Sequence, residues 1–330
     1  MILLRLFKNN RITGMAGIFV FILTLFIISM IRAEEVTGFS GMPFYNLIFG
    51  AVHKSPVLDR IIAMAFMILI GYMLIRIGAR YVLLPIRSFM PALFFILVSA
   101  ALPGSRQVSP ALVGSIFYIF CFAILFDVND KPPDTFSVFT AGIVLALGGM
   151  FYLKLVWFLP LIWISLGTLR TVTWRELLYP VIAYFLMGLF LFTWYWGVMD
   201  HGAQFSELIA RNLAFKGSFE HLLQTYHFSV LIYYGFIMLL VIAASVYMIV
   251  RFQTRKTVVQ NIYQVLFYIF IAGMLFFTLI AGFEPAALVF IAFPVSYILS
   301  NFFHRKQNPW THELILWILV GLLVYVQWMT

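Results

Sequence analysis

The only adjacent pair of carboxylates in the chain, Glu34 and Glu35, directly follows the first long apolar stretch, in the run Arg32-Ala33-Glu34-Glu35. A carboxylate at a membrane surface can take a proton from an incoming hydroxyl or hold a divalent cation. Neighbouring residues on a helix point about 100° apart, so only one of the two can face a given site. The plainer alternative is a pair of solvated charges ending a span. Lys154, with long apolar runs on both sides, either snorkels to the headgroups or serves an anionic ligand. Arg106, Lys154, Arg211 and Lys216 are basic residues able to gather round a phosphate, arginine with a bidentate fork and lysine as a point charge; otherwise they are separate interfacial anchors. Asp200-His201, at the end of an apolar run, is either an acid–base couple or an ordinary polar helix end. The candidate catalytic residues are therefore Glu34 and Glu35, and the candidate ligand-binding residues are Arg106, Lys154, Asp200, His201 and Arg211.

Other chemistries lack their patterns. There is no G-x-x-x-x-G-K-[ST] loop, no H-E-x-x-H and no G-x-S-x-G, which removes support for nucleotide-driven transport, zinc proteolysis and the common serine hydrolases. His221 and His227 lie six apart, without metal-ligand spacing, and the single Cys121 sits inside an apolar run. No cofactor is assigned, and whether a metal binds is open.

These groups must be positioned by helices in lipid. Of the 330 residues, 64% are hydrophobic and 10% charged, against about 25% charged in soluble proteins. Apolar segments at about 14–31, 57–77, 89–102, 110–126, 136–169, 177–198, 228–250, 262–282, 285–300 and 314–328 are joined by short polar links. As one helix, residues 136–169 would measure ~51 Å against a hydrocarbon core of ~30 Å, so the chain must reverse near Tyr152 to Lys154, its limbs 136–153 and 155–169 being full or re-entrant. The expected fold is all-α: a polytopic membrane protein of about eleven segments, some short or re-entrant, with short interfacial helices. One such helix is expected where Phe39, Met42, Tyr45, Ile48 or Phe49, and Val52 recur at helical spacing, with Asn46 and His53 among them. Residues 1–330 are read as one transmembrane domain, with outer loops at about 32–57 and 200–227.

The net charge of +9 comes from basic residues at segment ends, where they act as orientation signals, and nucleic acid is discounted as a partner. With a cytoplasmic N-terminus, about twice as many of the 21 Lys and Arg fall inside as outside. That places Glu34, Glu35, Arg106, Lys154, the stretch 200–227 and Glu284 together on the outer face.

The acidic pair after the first span, the interfacial helix behind it and the segment Ala141 to Lys154 together resemble the C-type membrane glycosyltransferases. The resemblance implies a lipid-phosphate-linked sugar donor, such as a polyprenyl-phosphate-linked substrate, an outer-face active site and an acidic base in the first outer loop, which would be Glu34 or Glu35. The whole chain is also similar to an uncharacterised family of bacterial polytopic inner-membrane proteins, through Pro91-Ala92-Leu93, Ser109-Pro110-Ala111-Leu112 and Thr173-Trp174-Arg175-Glu176. The expected setting is the bacterial inner membrane, with membrane lipids and an envelope protein as partners. Two other classes stay open beside the enzyme: a non-enzymatic subunit or scaffold of an envelope complex, and a lipid or small-solute transporter.

Overall fold

A computed structural model describes residues 12–32, 42–85, 88–129, 135–197, 226–250, 256–304 and 309–329, with residues 7, 207, 209–210 and 212–213. The described residues are helical, without a strand. In order the helices are α1 (Ile12–Ile31), α2 (Pro43–Phe49), α3 (Pro56–Arg80), α4 (Met90–Ser99), α5 (Pro110–Val128) and α6 (Thr135–Phe151). They continue as α7 (Leu159–Leu169), α8 (Trp174–Gly197), α9 (Phe228–Val250), α10 (Thr257–Leu275), α11 (Leu288–Phe303) and α12 (Pro309–Met329). Eight helices among the described residues are long and apolar enough to cross a membrane, and three shorter apolar ones accompany them. The protein is a multi-pass membrane protein, and the all-α architecture expected from hydropathy is present.

Proline stands in the first turn of the short helices α2, α4 and α7 and of the longer α3 and α5. Ser109 caps α5, its Oγ accepting from Leu112 N at 3.1 Å ahead of Pro110, the arrangement that satisfies an orphan N–H at a helix start. The reversal expected near residues 152–154 falls at Tyr152, an extended residue between α6 and the 3₁₀ turn Leu153–Phe158 that leads into α7. Small residues seat this hairpin. A Cβ on Gly148 would meet Leu155 and Phe117 at 2.8 Å, and one on Gly142 would meet Pro180 of α8 at 2.8 Å. Backbones in lipid associate through such close approaches, since apolar burial alone drives little there.

α4 and α11 sit in the centre, and every residue of α4 is buried. A helix of ten residues spans only ~15 Å, so α4 ends inside the protein, where its last carbonyls have no helical donor and no water. Side chains supply the donors. Tyr233 OH donates to Leu97 O at 2.7 Å and Tyr234 OH to Val98 O at 3.0 Å. Arg106 Nε donates to Ala100 O at 2.9 Å, and Ala101 O accepts from Arg106 Nη2 at 3.1 Å and from Gln327 Nε2 at 2.7 Å. Arg106 Nη1 reaches Leu25 O of α1 at 3.4 Å. Its positive charge lies at the negative end of the α4 dipole.

The turns 50–56, 100–109, 152–158 and 282–287 meet at this end of the bundle. Val108 binds Tyr45 and Asp59, on the helices that flank the first turn, Gly104 packs on Pro285, and Gly114 packs on Tyr152 and Leu155. The ends of α3 and α5 and the start of α10 lie at the opposite end.

Candidate functional site

Lys154 is the second residue of the 3₁₀ turn after Tyr152, and its side chain is 6% exposed. A lysine so buried in a membrane protein needs an anionic partner. The partner is Glu284, whose Oε2 lies 3.6 Å from Lys154 Nζ; the ammonium also stands 5.7 Å from the centre of the Tyr152 ring. At 3.6 Å the contact is an ion pair rather than a direct hydrogen bond. Glu284 keeps 30% of its side chain exposed, so it screens the lysine from one open side.

Glu284 is delivered by a strained turn. α10 runs into a π turn, Phe276–Ile280, and Gly282 and Phe283 follow with φ of 62° and 63°. Glycine takes that conformation freely, whereas in phenylalanine it costs ~1 kcal/mol or more and must be held by its surroundings. The hold is visible: Tyr226 OH donates to Phe283 O, Phe283 N donates to Phe277 O at 3.0 Å, and the Phe277 and Phe283 rings meet edge-on at 5.5 Å. Burial first, then the Glu284 carboxylate, push the Tyr152 and Tyr226 phenols above their ordinary pKa. Both therefore stay protonated, and Tyr226 remains a donor to the turn.

An apolar cavity of about 210 Å³ begins at this turn and runs between α4, α9, α10 and α11; Leu102, Tyr226, Tyr234, Phe277, Leu288 and Ile291 are among its walls. It is smaller than the roughly 300–1,000 Å³ of small-molecule sites and suits part of one hydrocarbon chain. Tyr226 belongs to both structures, its ring lining the cavity and its hydroxyl holding the Glu284 turn. Hydrocarbon-compatible space and a buried ammonium with its partly exposed carboxylate partner thus flank one turn.

A second polar group lies at the same end. Tyr45 OH donates to Val108 O at 2.8 Å and lies 2.9 Å from His53 Nε2. His53 Nδ1 is 2.8 Å from Asp59 Oδ1, and Asp59 Oδ2 accepts from Val108 N at 3.1 Å. The four residues close a ring through both polar atoms of Val108. Burial, with the Asp59 charge adding to it, raises the Tyr45 pKa. The phenol's one proton goes to Val108 O, so it can only accept from His53 Nε2–H, and one further proton lies between His53 Nδ1 and Asp59. Asp59 is fully buried, and both ring nitrogens of His53 are engaged. The ring clasps the first turn to the 100–109 turn.

Of the residues singled out from the sequence, Arg106 and Lys154 lie among those described and share this end. Arg106 is 1% exposed and spends its donors on backbone carbonyls, while Lys154 faces Glu284. Glu34, Glu35, Asp200, His201, Arg211 and Lys216 lie outside the described residues. Sequence reasoning did not reach the pairing of Glu284 with Lys154, nor Asp59, whose one local signal is an acid in the first turn of an apolar helix. Among the described residues no group of three or more His, Cys, Asp or Glu side chains is placed to hold a metal ion. No curated protein and no solved structure matches the chain. Residues 41–330, which include Tyr45, Asp59, Lys154 and Glu284 but not Glu34 or Glu35, match a family model, and the chain belongs to that family, the family of unknown function DUF6427.

Proposed function

We propose that the protein has glycosyltransferase-like architecture and handles a lipid-linked, phosphate-bearing intermediate of envelope assembly at the end carrying Lys154 and Glu284. One observation carries this reading: the apolar cavity and the Lys154–Glu284 pair flank the single turn 282–284, joined by Tyr226. The cavity suits a hydrocarbon chain. A phosphate entering beside the lysine would displace Glu284, exchanging one anionic partner for another with more acceptor oxygens. In this reading Glu34 or Glu35 acts as the base that deprotonates the acceptor hydroxyl, and the site faces away from the cytoplasm across a bacterial inner membrane. The rival reading, a non-enzymatic subunit of an envelope complex, is favoured by Arg106 and Asp59, whose polar atoms are taken up by the chain itself.

The test is transfer from a lipid-linked sugar donor in membranes carrying Glu34→Gln, Glu35→Gln, both together, or Lys154→Gln. Loss of the acting base is expected to lower the rate ~10²–10⁴-fold, and Lys154→Gln to weaken donor binding at least tenfold. Transfer that survives the double Glu→Gln variant removes the catalytic reading. If no donor is turned over at all and cells depending on the protein tolerate every charge removal, the scaffold reading replaces it.

A further inference from the structure

At the opposite end of the bundle, a cavity of about 580 Å³ is walled by Arg80, Tyr81, Pro85, Lys256, Val258 and Val259. Two of its walls are cationic. Arg80, 56% exposed along its side chain, shares Asp127 Oδ1 at 2.8 Å with Tyr81 OH at 2.5 Å. Lys256 has no ion-pair partner among the described residues. Among the described residues of the chamber, Arg80 and Lys256 against Asp127 leave one positive charge in excess. The third wall is the first turn of α10, whose start carries no side-chain cap, so its N–H groups add to the positive potential.

The cavity is braced rather than incidental. Asn129 Nδ2 donates to Val258 O and Asn261 Nδ2 to Asn129 Oδ1, each at 3.3 Å, tying the start of α10 to the end of α5. Tyr263 OH holds Leu83 O at 2.9 Å on the facing wall. A second cavity of about 160 Å³, lined by Ile75, Gly78 and Pro91, shares Val82, Leu84 and Pro85 with the first. A cationic chamber therefore opens beside a smaller one of mixed lining, with Ser88 among otherwise apolar side chains, at the level where two membrane helices end. That is headgroup height for a bilayer, and basic pockets between helices at that level suit anionic phospholipids.

We infer that this paired chamber binds one anionic phospholipid, its phosphate between Arg80 and Lys256 and its glycerol ester region against Gly78, Ser88 and Pro91. The site is separate from the proposed Lys154–Glu284 site and does not rest on it.

The test uses the full chain in nanodiscs of equal phosphatidylglycerol and phosphatidylcholine, with the co-purifying lipid counted by native mass spectrometry after release. One retained phosphatidylglycerol per chain is expected. Lys256→Gln should lower the preference about fivefold, the worth of one basic residue at a charged surface, and Lys256→Gln with Arg80→Gln should abolish it. Lys54→Gln, an exposed residue at the other end, should leave it unchanged. Equal retention of both lipids, or a preference untouched in the double variant, overturns the inference. Displacement of the lipid by millimolar inorganic phosphate alone also overturns it, assigning the chamber to a soluble anion. Circular dichroism checks that each variant is folded, and a double variant that loses its helices is replaced by Lys256→Gln with Arg80→Lys, for which a preference lowered about fivefold is expected and an unchanged one contradicts the inference.

Discussion

Arg106→Met is expected to lower the unfolding free energy by about 3 kcal/mol, measured by denaturant titration in detergent. Arg106 is 1% exposed, and among the bonds its guanidinium makes are those to the carbonyls of Ala100 and Ala101 at the interior end of α4 and of Leu25 in α1. Their dependence on it differs. Ala101 O keeps Gln327 Nε2 at 2.7 Å, and Leu25 O lies in the middle of α1, where the helix supplies its own donor. Ala100 O loses the partner that reaches it at 2.9 Å. An orphaned buried carbonyl and the loss of charge-assisted bonds each cost ~1–3 kcal/mol, with the helix-dipole contribution added. Arg106→Lys should recover less than half of the loss, because one ammonium cannot reproduce a planar fork. A cost below about 1 kcal/mol for Arg106→Met would show that the interior end of α4 does not rely on this side chain.

Asp59→Ala is expected to cost about 3 kcal/mol in the same measurement, and Asp59→Asn less than about 1 kcal/mol. The difference follows from the proton count of the ring. Tyr45 gives its proton to Val108 O, His53 gives its Nε2 proton to Tyr45, and Asp59 takes the Val108 N–H. An asparagine can accept that N–H through Oδ1 and donate from Nδ2 to His53 Nδ1, so every bond survives. An alanine leaves the Val108 N–H and His53 Nδ1 unpaired at a buried position. Equal losses for the two substitutions would mean that the ring holds an imidazolium–carboxylate pair, in which the charge of Asp59 matters beyond its hydrogen bonds.

Hydropathy alone located the membrane segments, because each requires a long apolar run and no other element in the chain looks similar. The reversal at Tyr152 was legible from length, residues 136–169 being too long for one crossing. The helix Pro43–Phe49 was legible from the spacing of Met42, Tyr45 and Phe49. The contacts that make the sites were not. Lys154 and Glu284 are brought together by the packing of two turns far apart in the chain, and Tyr45 meets Val108 across 63 residues; neither pair has a local pattern. Arg106 follows a Pro103-Gly104 break and reads from the sequence as an outer-face phosphate ligand or an interfacial anchor. Its place on the α4 carbonyls depends on α4 stopping inside the protein, a consequence of the surrounding helices rather than of its own sequence.

The most direct test of the proposed site is photolabelling with a polyprenyl phosphate that carries a diazirine in its chain, in membranes containing the full chain, with labelled residues mapped by mass spectrometry. Label is expected on the cavity walls of α9, α10 and α11, around Tyr234, Phe277 and Ile291. It should be competed by unlabelled polyprenyl phosphate but not by the alcohol lacking phosphate, and be reduced about tenfold by Lys154→Gln. Label spread evenly over the lipid-exposed faces of α8 and α12, indifferent to phosphate and to Lys154, would contradict the lipid-phosphate site and leave the cavity as a packing gap between helices.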